Sequence, residues 1–286
     1  MTVSWRTARA DSLHRLRTGG VTDADLELRW IVERASGRTP AEQVAALDEP
    51  VTEREMHFLR DMVQRRAAGE PLQYVLGRWG FRTLDLLVDH RVLIPRPETE
   101  VVAGHAVDAA SAVEGTAVVV DLGTGSGAIA LSVAAERWPH VEVWATDASA
   151  DALAVARANL AGLGRRAGVV RLLEGDWYTA LPGHLRGGVH VIVSNPPYVA
   201  ADEPLPSEVA DWEPSAALVP GPTGLEAVEV IVAGAREWLV PEGWLLVEIG
   251  EAQGAAAAAL AVDAGFADVT VAPDLAGRDR VLVAHG

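Results

Sequence analysis

Apolar residues recur along this chain with two different periods, and the change between them falls shortly before residue 100. In the earlier part the spacing is helical. Leu28, Ile31, Val32 and Ala35 fall at i, i+3, i+4 and i+7, so they share one helical face, and Gly37 ends the pattern. Thr39-Pro40-Ala41-Glu42 combines an N-cap hydroxyl, a proline at the first helical position and a glutamate placed to reach back. Thr52-Glu53-Arg54-Glu55 repeats the capping box ahead of Met56, Leu59 and Val63, and Gly69 closes that helix. No titratable cluster in this stretch points to chemistry. Residues 1–75 therefore read as a small helical bundle for packing or substrate recognition.

Residues 76–97 read as a connector. Gly77 to Phe81, the alternating residues through Val88, and Arg91-Val92-Leu93-Ile94 predict a β-hairpin, which Pro95-Arg96-Pro97 breaks. Residues 98–286 alternate strand and helix. Strands are predicted at 118–120, 141–146, 169–173, 189–193, 244–249, 267–271 and 281–283. Helices are predicted from about Ala128, from Ser149 to Leu160, and over 225–239 and 252–264. Such alternation predicts an α/β domain whose mostly parallel sheet is covered by helices on both faces. The acidic, proline-rich stretch 201–222 reads equally as a lid or as a solvated loop.

Composition narrows the function. Hydrophobic residues make up 49% and charged residues 22%, which is globular. The net charge is −16 and all 24 basic residues are arginines, which argues against an extended nucleic-acid footprint. Cysteine is absent, so thiolate chemistry and disulfides are excluded. The eight histidines are scattered without a metal-ligand spacing, so no metal site is expected. The first residues carry charges rather than an apolar core, and the alanine-rich run 254–262 is too short to span a bilayer. A cytoplasmic protein without membrane association is expected.

Asp121-Leu122-Gly123-Thr124-Gly125-Ser126-Gly127 follows a predicted strand and opens a helix. Its glycines let the backbone turn tightly and approach a ligand closely. The spacing is G-x-G-x-G rather than the G-x-G-x-x-G of dinucleotide folds. That suits a nucleoside with an uncharged linkage better than a pyrophosphate. Ser126 is not a nucleophile elbow, because Thr124 and Ala128 stand where that motif needs glycine. Asp147 closes the next strand, placed to accept hydrogen bonds from two ribose hydroxyls. Asp176 and Trp177 end the third strand at the same sheet edge, the first placed to read a base and the second to lie against it.

Ser194-Asn195-Pro196-Pro197-Tyr198 follows the fourth strand. Two prolines fix the backbone and stop the ladder. The Asn195 side-chain oxygen and the Pro196 carbonyl then become rigid acceptors, beside the flat face of Tyr198. These parts suit an NH2 group on a planar conjugated system, holding it toward an electrophilic sulfonium methyl by positioning and electrostatics. The residues themselves leave open whether that group belongs to a protein amide or to adenine in nucleic acid. An inactive cofactor-binding module and a nicotinamide dehydrogenase are the other readings; the intact Asn-Pro-Pro-Tyr turn disfavours the first and the glycine spacing the second.

Several strings carry a family resemblance: Gly69-Glu70-Pro71-Leu72-Gln73-Tyr74, Leu93 through Glu100, Asp121 to Gly127, Gly175-Asp176-Trp177, Asn195 to Tyr198, and Asp274 through Arg280. Together they resemble the bacterial release factor glutamine methyltransferases (the PrmC/HemK family) over nearly the whole chain. The resemblance implies a seven-stranded, Rossmann-like methyltransferase domain behind a small N-terminal helical bundle. It implies S-adenosyl-L-methionine as cofactor and class I peptide chain release factors as protein substrate, methylated on N5 of the glutamine in their Gly-Gly-Gln motif. By position, Gly123, Thr124, Gly125, Ser126, Gly127, Asp147 and Trp177 would bind the cofactor. Asn195, Pro196, Pro197 and Tyr198 would bind the glutamine, with Asn195 near both ligands.

Overall fold

A computed structural model describes residues 3–286. They form two compact units, the first reaching Arg78 and including Pro206–Trp212, the second comprising Trp79–Leu205 and Glu213–Gly286. In chain order the first unit begins with α1 (Trp5–Thr18), α2 (Ala24–Ser36), α3 (Pro40–Ala45), α4 (Glu53–Ala67) and α5 (Leu72–Leu76). Both expected capping boxes form: Thr39 and Glu42 start α3, Thr52 and Glu55 start α4. Leu28, Ile31 and Val32 of α2 are buried, as are Leu59 and Val63 of α4, which is the packing their spacing predicts. Arg66 of α4 is held by Glu27 at 2.6 and 3.1 Å and by Glu208 at 2.7 Å, the last coming from the late segment of the same unit.

The second unit opens with a hairpin of β1 (Trp79–Phe81) and β2 (Leu84–Leu86), much shorter than expected. Residues 87–95 are not strand. Val88, Val92 and Ile94 are buried by packing without ladder pairing, so their alternation imitated a strand. Next come α6 (Pro97–Ala112), β3 (Ala117–Leu122), α7 (Ala128–Arg137), β4 (Val141–Asp147), α8 (Ala150–Ala161), β5 (Val170–Glu174) and β6 (Val189–Ser194). The short α9 (Ser207–Ala210) belongs to the first unit's late segment. The chain ends with α10 (Glu226–Trp238), β7 (Leu239–Glu248), α11 (Gly254–Asp263), β8 (Asp268–Pro273) and β9 (Asp279–His285). β7 starts five residues before the predicted 244–249, with irregular pairing to β6 near Val189.

Strands β3 to β9 make one seven-stranded sheet in the order β5-β4-β3-β6-β7-β9-β8. β5 through β7 pair in parallel and β9 runs antiparallel between β7 and β8. On one face Val120, Leu122, Ile192, Leu245 and Leu282 pack against Val228, Ile231 and Ala235 of α10 and Ala257 and Ala261 of α11. The alternate residues Val119, Val143, Val191 and Val193 are also fully buried, so the sheet is covered on both faces. Strand order reverses between β3 and β6, which places a crevice outside the carboxyl ends of these strands. Among the described residues, no helix is long and apolar enough to cross a membrane.

Candidate active site

A cleft of about 320 Å³ lies at that crevice, wholly within the second unit. Gly123, Thr124, Gly125, Ser126, Asp147, Asp176, Trp177, Asn195 and Pro197 line it. Gly127, Pro196 and Tyr198 do not. The glycine turn is held from both flanks by carboxylates at the carboxyl ends of the adjacent strands β3 and β4. Asp121 Oδ2 accepts the Thr124 hydroxyl at 2.6 Å and the Ala130 amide at 3.1 Å. Asp147 Oδ2 accepts the Gly125 amide at 2.8 Å, and its Oδ1 accepts the Ser149 amide at 2.8 Å. Each Asp147 oxygen therefore keeps a lone pair for a further donor, as a diol requires. Burial raises the pKa of Asp147, and it pushes that of Asp121 up to about 7.

Glycine is required where the turn needs it. Gly127 has φ 86°, and a Cβ there would come 2.9 Å from Leu131 Cδ1. Gly125 has φ 56°, and a Cβ there would meet nothing within 4 Å, so any side chain would project into open space at the cleft wall. Trp177 has φ 46°, a strained conformation for a bulky residue, and its carbonyl is fastened by the Thr146 hydroxyl at 3.0 Å. In this setting the indole lies beside Gly123 in the cleft.

The Asn-Pro-Pro-Tyr turn is anchored by residues that the sequence does not single out. Asn195 Nδ2 donates to the Thr99 hydroxyl at 3.0 Å, which fixes the amide's orientation. Its Oδ1 is then buried without a hydrogen-bond partner among the described residues, an unsatisfied acceptor on a residue of the cleft wall. The Tyr198 hydroxyl donates to Glu248 Oε1 at 3.3 Å, and the Tyr198 carbonyl accepts from Gln253 Nε2 at 3.0 Å. Burial and the neighbouring Glu248 raise the Tyr198 pKa, so its hydroxyl stays protonated and remains a donor. One signal was available for Glu248: an acidic residue closing the apolar run from Trp244, as Asp121 and Asp147 close theirs.

The stretch 201–222 is not simply a solvated loop. Glu213 is buried, with its carboxylate accepting the Ile94 amide at 3.1 Å and pairing with Arg96. Pro214, Ala216 and Ala217 beside it line the cleft. The site thus combines a free carboxylate edge, an indole, an open glycine wall and one orphaned amide oxygen. These features suit a nucleoside-like ligand next to a planar NH2 group.

Fold and cleft together define an enzyme of the Rossmann-like methyltransferase class. Family models place the chain further: "PrmC N-terminal domain" matches residues 7–77 and "Methyltransferase small domain" matches residues 105–209. A release factor glutamine methyltransferase of Burkholderia pseudomallei is 42% identical over 259 residues, covering 89% of this chain and 90% of its own. One from Moorella thermoacetica is 41% identical over 283 residues, with 98% of each chain covered. A methyltransferase structure from Pyrococcus furiosus, 18% identical with TM-score 0.51, covers 82% of this chain and 98% of its own, and speaks for the fold alone. The chain belongs to the release factor glutamine methyltransferase family.

Proposed function

We propose that this enzyme methylates the side-chain N5 of the glutamine in the Gly-Gly-Gln motif of class I peptide chain release factors, using S-adenosyl-L-methionine. The observation that carries the reading is the buried, unpartnered Asn195 Oδ1 on the cleft wall, with the other end of its amide tied to Thr99. Asn195 Oδ1 accepts one N–H of the substrate amide and the Pro196 carbonyl accepts the other, while Pro197 holds the turn rigid. Tyr198 supplies the aromatic body beside them. An amide nitrogen is a poor nucleophile because its lone pair is delocalised, so fixing both hydrogens sets the amide plane and directs the lone pair, perpendicular to that plane, at the methyl group. When bound, the cofactor would supply a methyl group already activated by its sulfonium; the methyl's bond to sulfur is exchanged for one to N5, S-adenosylhomocysteine leaves, and N5 gives up one of its two protons.

The residues of the cleft suit that cofactor. Asp147 takes the ribose hydroxyls, the wall from Gly123 to Ser126 admits the nucleoside, with Gly127 beneath it closing the turn, and Trp177 with Asp176 flanks the base. Rate acceleration comes from positioning and from acceptors fixed before the substrate arrives. The workplace is the cytoplasm, where release factors act. A nucleic-acid adenine substrate is disfavoured by the charge of −16.

The deciding experiment is a mass measurement of the Gly-Gly-Gln peptide from a purified release factor incubated with enzyme and cofactor. A gain of one methyl on the glutamine is expected. Label appearing only in DNA, in a parallel incubation, would overturn the reading. Asn195→Ala should lower turnover at least about a hundredfold, the scale seen when one fixed transition-state donor or acceptor is removed. S-adenosylhomocysteine affinity, read by calorimetry, should change far less.

A further inference from the structure

Glu248 is fully buried, ends β7 and does not line the cleft. Its Oε1 accepts the Tyr198 hydroxyl at 3.3 Å, while its Oε2 is buried and makes no hydrogen bond among the described residues. A buried carboxylate with one oxygen left unserved costs stability, so the fold itself gives no reason to keep it. The neighbouring groups do give one. The Tyr198 and Thr99 hydroxyls both favour its charged form, and Thr99 is also the residue that holds the Asn195 amide. Glu248 therefore stands behind the tyrosine end of the Asn-Pro-Pro-Tyr turn, where it holds the Tyr198 hydroxyl.

We propose that Glu248 is a positioning residue for methyl transfer: its carboxylate orients the Tyr198 hydroxyl and so fixes the ring beside the substrate amide. This rests on the methyltransferase reading above. Gln253 secures the Tyr198 carbonyl independently, so the tyrosine is gripped at both its backbone and its hydroxyl.

Burial pushes the Glu248 carboxyl up to about 7, with the charge of Glu98 adding to the rise, while Thr99, Arg280 and Tyr198 oppose it. Arg280 lies on β9, beside β7, and its guanidinium is shared with the Ile249 carbonyl at 3.0 Å and with Asp274 at 3.7 Å. Below about pH 7 Glu248 takes up a proton, one oxygen becomes a donor, and it serves the Tyr198 hydroxyl less well. The turn is then best ordered on the alkaline side.

Glu248→Gln keeps the shape and removes the charge. We expect its kcat for release factor methylation to fall about tenfold or more, the scale of a lost hydrogen bond to a charged group. KM for the release factor and the affinity for S-adenosylhomocysteine should stay within about threefold, well inside that loss. The acid limb of the wild-type kcat profile, centred near 7, should disappear in the variant. Tyr198→Phe should lose turnover too, and combining the two changes should cost less than the product of the single losses. Wild-type kcat in Glu248→Gln across pH 6 to 9 overturns the proposal; so do fully multiplicative losses.

A second readout needs no substrate. The chain has three tyrosines, so ring-labelled protein gives few signals to assign. The Tyr198 Cζ resonance should titrate near pH 7 in the wild type and stay flat in Glu248→Gln; a flat wild-type signal overturns the proposal even if the variant folds poorly. Should the wild type methylate no release factor, the function reading fails while the tyrosine titration still decides the role of Glu248.

Discussion

Asp121, next to the last residue of β3, and Asp147, the last of β4, grip one glycine turn, yet their carboxylates face different demands. Asp121 is buried, with Oδ1 unpartnered among the described residues and its pKa pushed up to about 7 by burial and, less strongly, by the charge of Asp147. A folded pKa above the unfolded one means that its contribution to stability is fully present at low pH. That contribution is lost as pH rises through about 7. Asp121→Asn keeps an oxygen for Thr124 and Ala130 and cannot ionise. Its unfolding temperature should therefore gain on that of the wild type between pH 3.8 and about 7, by roughly 2 to 4 °C for each kcal/mol involved. Parallel curves would remove ionisation of Asp121 from the account. Asp147→Ala should act on the ligand instead, weakening S-adenosylhomocysteine at least about tenfold by loss of charge-assisted bonds. Unaltered affinity in calorimetry would contradict the ribose assignment.

At the scale of elements, local signals were legible and distant pairings were not. The two capping boxes, Ser149 at the start of α8 and the strand-to-glycine-turn junction each lie within a few consecutive residues, so the sequence shows them. The bonds that hold the cleft join residues far apart in the chain: Asn195 to Thr99, Tyr198 to Glu248, and Glu213 to Ile94. No periodicity records such pairs. Asn159 of α8 is another. Its amide donates to the carbonyls of Leu87 and Ser126 and accepts the Leu87 amide at 2.6 Å, tying the glycine turn to the segment after the hairpin. Asn159→Ala should cost about 2–4 kcal/mol by stranding these buried groups. A urea midpoint shift with unchanged m-value would register it, and an unmoved midpoint would show the tie to be idle. Glu213→Ala should speed amide hydrogen exchange at Ile94 and through 215–219, where its loss frees the cleft wall; unchanged exchange would mean that other contacts hold this segment.

Over the whole molecule the chain carries −16, so long-range electrostatics repel polyanions rather than gather them. Duplex DNA should show no retention at physiological salt in a filter-binding assay, and tight binding there would reopen the adenine reading. The helical unit is also discontinuous, taking in Pro206–Trp212 long after its first stretch ends at Arg78. Glu208 from that late segment is one of the two carboxylates on Arg66, and Trp212 stands near Gly69. A ribosome making this protein therefore releases α1 to α5 before the segment that completes their unit, which follows only after β3 through β6 have been translated. The part encoded first is completed late, and a nascent chain stalled before residue 206 holds Arg66 with half its counter-charge.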